Sequence, residues 1–314
     1  MAVENRLRLG TRGSLLARSQ SALVAAQLQA AHPGLKIETV IVKTTGDRMA
    51  GPLHDAGGKG LFVKELEQAL LDGHIDLAVH SCKDVPTTMP LVDQGQLIIA
   101  AIPTRADPRD VLISTTWQSI ADISPGAHVG TGSLRRRCQI LQLRPDLKID
   151  PIRGNIDTRL RKLQGPLDAL ILAMAGLERT GLGDPARMHS IPLEQILPAP
   201  GQGALALQCR IGDQSTIELL RTVDDARTHA CVDAERAIVA AVNGDCHSPI
   251  AALAQIIGQE AWVRAVIGGR DGRPPTISAQ AKMPLPDLQR AVGMVIEQLQ
   301  QQDVGKLLHG DADT

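Results

Sequence analysis

Along the first two-thirds of the chain the hydrophobic positions switch repeatedly between the spacing of a strand and that of a helix. Arg6–Gly10 reads as a short strand. Ser14 reads as the N-cap of a helix running to about Ala31, which His32-Pro33-Gly34 stops. Lys36–Lys43 alternates, with Ile37, Thr39 and Ile41 on one side and Val40 and Val42 on the other. Beyond Gly57-Gly58-Lys59-Gly60, Leu61–Leu71 has helical spacing and Gly73 is the residue expected to close it. Ile75–His80 is a compact apolar strand, followed by the polar loop Ser81–Asp84. His128–Thr131, Leu167–Ala173 and Ala204–Cys209 read as further strands, and Leu134–Leu143 as a helix. Strands alternating with helices predict parallel α/β sheets.

The last third follows another pattern. Ala226–Val242 and Leu285–Gln302 are helical, and Trp262–Ile267 with Thr276–Ala281 form a hairpin around Asp271-Gly272-Arg273-Pro274-Pro275. This is an α+β arrangement, with a domain boundary expected near residue 222. The chain, at 314 residues, is long enough for two or three cores.

Composition narrows the chemistry. One Phe, two Trp and no Tyr leave the cores to Leu, Ile, Val and Ala and argue against a site that stacks its ligand on rings. The net charge of −1 offers no general attraction to nucleic acid or membrane. Between Arg135 and Lys162, however, nine basic residues face three acidic ones, an excess of six positive charges that points to a polyanionic ligand, or to a solvated basic face. The five scattered cysteines form no C-x-x-C pair, and the nine histidines show no metal-ligand spacing, so neither a disulfide framework nor a metal site is expected. No signal-like or membrane-spanning apolar run occurs, which predicts a soluble cytoplasmic protein.

Four segments at strand ends or helix starts carry reactive groups, where α/β proteins place ligands. Thr11-Arg12-Gly13-Ser14 closes the first strand, and a simple helix cap explains it equally. His80-Ser81-Cys82-Lys83-Asp84-Val85-Pro86 sets an amine beside a carboxylate, suited to proton transfer or to holding a cation. Gly130-Thr131-Gly132-Ser133-Leu134-Arg135-Arg136-Arg137 joins exposed backbone N–H groups to fork-shaped guanidinium donors. It lacks the Gly-Lys-Ser/Thr ending of a P-loop. Asn243-Gly244-Asp245-Cys246-His247-Ser248-Pro249 places a thiol on a turn, although a single thiol is more often structural, and Cys82 beside Lys83 competes as a nucleophile. Gly57–Gly60 is either a lid or a flexible turn.

Taken together these segments closely resemble the hydroxymethylbilane synthase (porphobilinogen deaminase) family. The likeness includes Gly57-Gly58-Lys59-Gly60-Leu61-Phe62, His80-Ser81 with Lys83-Asp84-Val85-Pro86, and Asp107-Pro108-Arg109-Asp110. It continues through Gly130-Thr131, Ser133-Leu134-Arg135-Arg136, Arg153-Gly154-Asn155, Thr158-Arg159-Leu160, Ala175-Gly176-Leu177 with Arg179, Pro200-Gly201-Gln202-Gly203-Ala204 and the Cys246 loop. It implies two doubly wound α/β lobes like those of two-lobed solute-binding proteins, residues 1–103 with 204–221 and residues 104–203. A C-terminal α+β domain, residues 222–314, follows.

The resemblance further implies a transferase of porphyrin, heme and tetrapyrrole biosynthesis, acting as a cytoplasmic monomer. A dipyrromethane cofactor would be joined to Cys246 by a thioether and held by Lys83, Ser133, Arg135 and Arg136. Four porphobilinogen units would be added head to tail with loss of ammonia, and the linear tetrapyrrole released by water. Asp84 would be the catalytic carboxylate, stabilising the positive charge that ammonia loss leaves on the pyrrole nitrogen. Arg12, Ser14, Arg153, Arg159, Arg179 and Gln202 would bind the substrate acetates and propionates. Gly57, Gly58, Lys59 and Phe62 would belong to a lid. Three positions depart from the family pattern: Asp55 for lysine, Gly132 for serine and Asp245 for glycine. Asp55 would weaken a positive lid, and Asp245 would raise the pKa of the neighbouring thiol. A non-catalytic two-lobed binding protein and a nucleic-acid binder are the rival readings. The first usually carries a secretion signal, and the second needs aromatic stacking or overall positive charge.

Overall fold

A computed structural model of the chain describes residues 6–44, 63–87, 95–245 and 248–309. The backbone falls into two compact units, Met1–Arg105 with Ala204–His229 and Ala106–Gly203 with Ala230–Thr314.

The first unit is built on β1 (Arg6–Thr11), β2 (Lys36–Ile41), β3 (Leu77–Ser81), β4 (Leu97–Ala101) and β10 (Leu205–Arg210), in the order β2-β1-β3-β10-β4. β1 is parallel to β2 and β3, whereas β10 is antiparallel to both of its neighbours. Alternating side chains serve the two faces. On one, Leu9, Leu77, Leu205 and Leu207 meet Val24 and Leu28 of α1 (Leu15–Ala31) and Ile217 and Leu220 of α6 (Gln214–Arg221). On the other, Ile75, Ala78 and Leu97 meet Leu66 and Leu70 of α2 (Lys64–Leu71).

The second unit repeats this topology with β5 (Asp110–Ile113), β6 (His128–Gly130), β7 (Lys148–Asp150), β8 (Ala169–Ala173) and β9 (Met188–Ser190), in the order β7-β6-β8-β5-β9. β6 is parallel to β7 and β8, and β5 is the antiparallel strand. Ile140 of α3 (Leu134–Leu143) packs on Val129, Ala169 and Ile171. On the opposite face Ile156 and Leu160 of α4 (Ile156–Arg161) and Leu177 of α5 (Met174–Thr180) pack on Val111, Leu170 and Leu172. Both lobes are therefore doubly wound, as expected.

The second unit also holds an antiparallel sheet of β11 (Ile250–Ile257), β12 (Glu260–Gly268) and β13 (Thr276–Pro284). One face is covered by α7 (Ala226–Ala241) and α8 (Leu288–Gln300), followed by α9 (Val304–His309). This is the expected α+β portion.

Three differences from the sequence pattern have physical causes. The lobe sheets are mixed rather than parallel. β5 and β10 are each the first strand after the chain passes from one unit into the other, so the rule that governs strand-helix-strand crossovers does not set their direction. The strand expected to run on to Lys43 stops at Ile41, and those expected from Ile75 and Leu167 start at Leu77 and Ala169. β11 gave no alternation because Ile250, Ala251, Ala252, Leu253 and Ala254 are all buried.

Candidate active site

In the first lobe two loops leave adjacent strands. After β1, Ser14 caps α1 with extended backbone (φ −65, ψ 149), and its Oγ accepts the Ala17 N–H at 3.3 Å. Arg12 beside it is half-buried. After β3 the chain makes a single 3₁₀ turn, Cys82–Asp84. That turn exposes Asp84, leaves Lys83 half-buried and buries Cys82 to 1% exposure. Asp84 makes no hydrogen bond or ion pair among the described residues, so its carboxylate is uncommitted.

Under this turn lies a buried polar chain that sequence reasoning did not assign. His80 Nε2 lies 3.0 Å from Gln208 Oε1, and Gln208 Nε2 donates to Glu67 Oε1 at 2.9 Å. Burial pushes the His80 ring down to about 4, with the nearby Arg12 charge adding to the effect, so the ring is neutral and donates from Nε2. Gln20 reaches from α1 to Ser81 Oγ at 2.8 Å and steadies the start of the same turn. The available signal was polar residues on faces otherwise apolar: Gln20 in α1 and Gln208 in β10.

In the second lobe Ser133 caps α3, its Oγ accepting the Arg136 N–H at 3.4 Å. Arg135 and Arg136 are 4% and 5% exposed and both turn to Asp110, which is fully buried at the head of β5. Arg135 Nη1 donates to Asp110 Oδ2 at 2.7 Å and Arg136 Nη2 to Oδ1 at 2.8 Å. The same guanidiniums donate to the backbone carbonyls of Leu197 (2.8 Å) and Ile171 (3.1 Å). Gln202, 1% exposed, donates to Asp110 Oδ1 and to Pro108 O, each at 2.7 Å. Burial alone would raise the Asp110 carboxyl, but the two guanidiniums outweigh it and hold the group well below the usual carboxylate range. Arg135 is pulled below its ordinary value by burial, against the raising effect of Asp110.

The other predicted arginines are placed differently. Arg153 is exposed. Arg159 donates from Nε to Gly154 O at 2.8 Å. Arg179 is half-buried, which lowers its pKa, and donates from Nη2 to Gly203 O at 2.6 Å. Gly203 has φ +88, and a Cβ there would lie 2.5 Å from Ala106 O, so only glycine fits the turn that receives Arg179. Arg144 is consumed by Asp146 and by the carbonyls of Ile120, Ala121 and Ile123. The positive excess is thus smaller than the run from Arg135 to Lys162 indicated, because Asp110 lies outside that run.

Cys246 and the residues Asp55, Gly57, Gly58, Lys59 and Phe62 lie outside the described residues. Asp245 and Ser248, which bracket Cys246 in sequence, are tied together. Ser248 N–H and O–H both donate to Asp245 Oδ1 at 2.9 Å, and Asp245 N–H donates to Ser248 Oγ at 3.0 Å. Asp245 is therefore a turn-closing residue where glycine was expected. Gly132 also has a local reason, since a Cβ there would lie 2.5 Å from Ile152 O. The remaining thiols, Cys82, Cys138, Cys209 and Cys231, are buried, and burial pushes Cys138 and Cys209 up to about 11. Cys82 is accordingly no exposed nucleophile. Among the described residues no group of three His, Cys, Asp or Glu could hold a metal ion.

Residues 7–218 match the family model described as porphobilinogen deaminase, dipyromethane cofactor binding domain, and residues 229–300 match the porphobilinogen deaminase C-terminal domain. The chain belongs to the porphobilinogen deaminase family. It is 49% identical over 268 residues to a porphobilinogen deaminase of Sorangium cellulosum, covering 85% of this chain and 88% of that one. It is 46% identical over 267 residues to a porphobilinogen deaminase of a Roseiflexus species, covering 84% and 86%. Among solved structures, the methionine-binding protein MetQ superposes with a TM-score of 0.45 at 15% identity, over 72% of this chain and 93% of that chain.

The arginine cluster fits the anionic cofactor for which that family's first domain is described. Among the described residues, Nε of Arg135, Arg136 and Arg179, like that of Arg137, Arg187 and Arg264, is buried and has no hydrogen-bond partner. Asp110 cancels only one of the two charges beside it, so the cluster keeps a positive surplus.

Proposed function

We propose that this chain condenses four porphobilinogen molecules head to tail, releasing one ammonia at each addition, and sets free the linear tetrapyrrole hydroxymethylbilane by hydrolysis. The family assignment, carried by identity over 85% of the chain, is the observation on which the reading rests. When bound, the dipyrromethane supplies the electron-rich pyrrole terminus from which the product grows, anchored through the sulfur of Cys246.

The chain's own residues divide the work. Asp84 holds the positive charge that develops on the substrate's pyrrole nitrogen and takes up its proton; the exposed carboxylate on the 3₁₀ turn after β3, unpaired among the described residues, supports that role. Lys83 binds a ligand carboxylate beside it. Arg12, Arg153, Arg159 and Arg179 bind the acetate and propionate groups, with Arg135, Arg136 and Ser133 serving the cofactor. Ser14 and Ser133 each accept a backbone N–H with Oγ, which leaves the hydroxyl hydrogen to donate to a ligand oxygen. Gln202 acts from below, through Asp110. Gly57, Gly58, Lys59 and Phe62 form a lid over the bound chain.

We assign the protein to three domains with the boundaries given above and to the cytoplasm as a monomer that binds neither nucleic acid nor membrane. No helix among the described residues is long and apolar enough to cross a membrane. The intact mass of the purified protein tests the activity. The expected result is an increment of two pyrrole units that disappears in Cys246→Ser. A protein that stays unmodified and inactive after exposure to porphobilinogen overturns the reading.

A further inference from the structure

We propose that Asp110 is a positioning residue, which acts through Arg135 and Arg136 by fixing the guanidinium edges offered to the anionic cofactor; the inference rests on the functional reading above. Asp110 is fully buried and both of its oxygens are engaged, Oδ2 by Arg135 Nη1 and Oδ1 by Arg136 Nη2 and Gln202 Nε2. Each guanidinium is held at a second point by a backbone carbonyl, Leu197 O for Arg135 and Ile171 O for Arg136. Arg135 makes both bonds from Nη1 and Arg136 makes one from each Nη, so each guanidinium is oriented by two acceptors, and in both Nε is buried and unpaired among the described residues. A fork held in this way keeps its orientation before any ligand arrives, which is the condition for a tight and directional carboxylate contact.

Asp110 also sets the charge of the cluster. One carboxylate between two guanidiniums leaves a net surplus of one, enough to favour an anion without two uncompensated buried cations. Gln202 tunes the arrangement from behind. Its amide bridges Pro108 O and Asp110 Oδ1, so the carboxylate cannot rotate toward one arginine at the expense of the other.

The test uses the full-length protein produced in cells that make no porphobilinogen, so that it starts unmodified, and follows the rate at which added porphobilinogen raises the intact mass by two pyrrole units, together with the urea midpoint. Asp110→Asn is expected to slow loading by ~100-fold, the scale of a misplaced binding group, while the conservative Asp110→Glu recovers to within about tenfold of the starting protein. Folded Asp110→Asn protein that loads at the unaltered rate overturns the proposal, as does an Asp110→Glu variant no better than Asp110→Asn. Should Asp110→Asn fail to fold, Gln202→Leu takes its place, because it retains both ion pairs while removing the third bond to the Asp110 carboxylate together with the bond to Pro108 O. It is expected to slow loading by about tenfold with little change in midpoint, and unchanged loading there overturns the proposal. The starting protein is the control: if it never loads, the functional reading itself has failed, whatever the variants do.

Discussion

The two lobes are drawn on one plan, with the same strand order, the same single antiparallel strand in fourth place and a serine-capped helix after the strand in second place. Their buried polar groups differ completely. The first lobe buries a hydrogen-bonded chain, His80, Gln208 and Glu67, beneath an exposed carboxylate. The second buries ions, with Asp110 between Arg135 and Arg136. In both, the polar residue on the fourth strand, Gln208 or Asp110, ties the interior together. The comparison teaches that one scaffold can serve opposite tasks. On the proposed function, the lobe that stabilises developing positive charge keeps cations out of its core, and the lobe that holds an anion installs them there with a single counter-charge.

The sharpest break in this comparison is chemical. Asp84→Asn should lower kcat by ~10²–10⁴-fold with little change in KM and an unchanged urea midpoint. Arg159→Leu, in the second lobe, should chiefly raise KM. Near-normal turnover in the Asn variant would move the catalytic carboxylate elsewhere.

Acid should separate the lobes next. His80 has a folded pKa near 4 against about 6.5 unfolded, so the unfolded state binds the extra proton. Its contribution is complete above pH 6.5 and falls by about 3 kcal/mol as the pH drops toward 4. Asp110 is also depressed, but its contribution is complete above the unfolded carboxylate value of about 3.9 and is lost only below it. Hydrogen exchange followed between pH 7 and 4 should show first-lobe peptides losing protection before those of the second. Simultaneous loss would mean that the His80 ring is not held neutral.

The smallest effect should be the most alike. Ser14→Ala and Ser133→Ala each remove one cap acceptor and should cost ~1 kcal/mol in denaturant midpoint. If only Ser133→Ala also slows cofactor loading, the two caps differ in what their hydroxyl hydrogens reach.

Much of this was legible in the chain itself. The caps Ser14 and Ser133, the helix Leu134–Leu143 and the C-terminal hairpin follow from local rules, because each is set by neighbours within a few residues. Asp84 could be picked out as a carboxylate at the end of a buried strand. What stayed hidden depends on distant pairing. β7 and β9 are three residues long, too short for a period to show, and the directions of β5 and β10 are set by crossings between units. Asp110 was visible only as part of a motif. An acid opening the apolar run Val111-Leu112-Ile113 was the signal, but its partners lie 25 and 26 residues away. For the same reason the local charge count overstated the positive surplus.

The fourth place of the first sheet has a consequence for how the protein is made. The chain emerging from a ribosome supplies β1 to β4 and must then deliver roughly 100 more residues, a whole second lobe, before β10 can slot between β3 and β4. At ordinary synthesis speeds that is a delay of ~5–20 s. During it two strands present unpaired edges that in the finished fold are sealed by Leu205–Arg210. The first lobe to be synthesised is therefore the last to be completed. A nascent chain halted near residue 200 should be a stronger target for chaperones than either a shorter or a longer one.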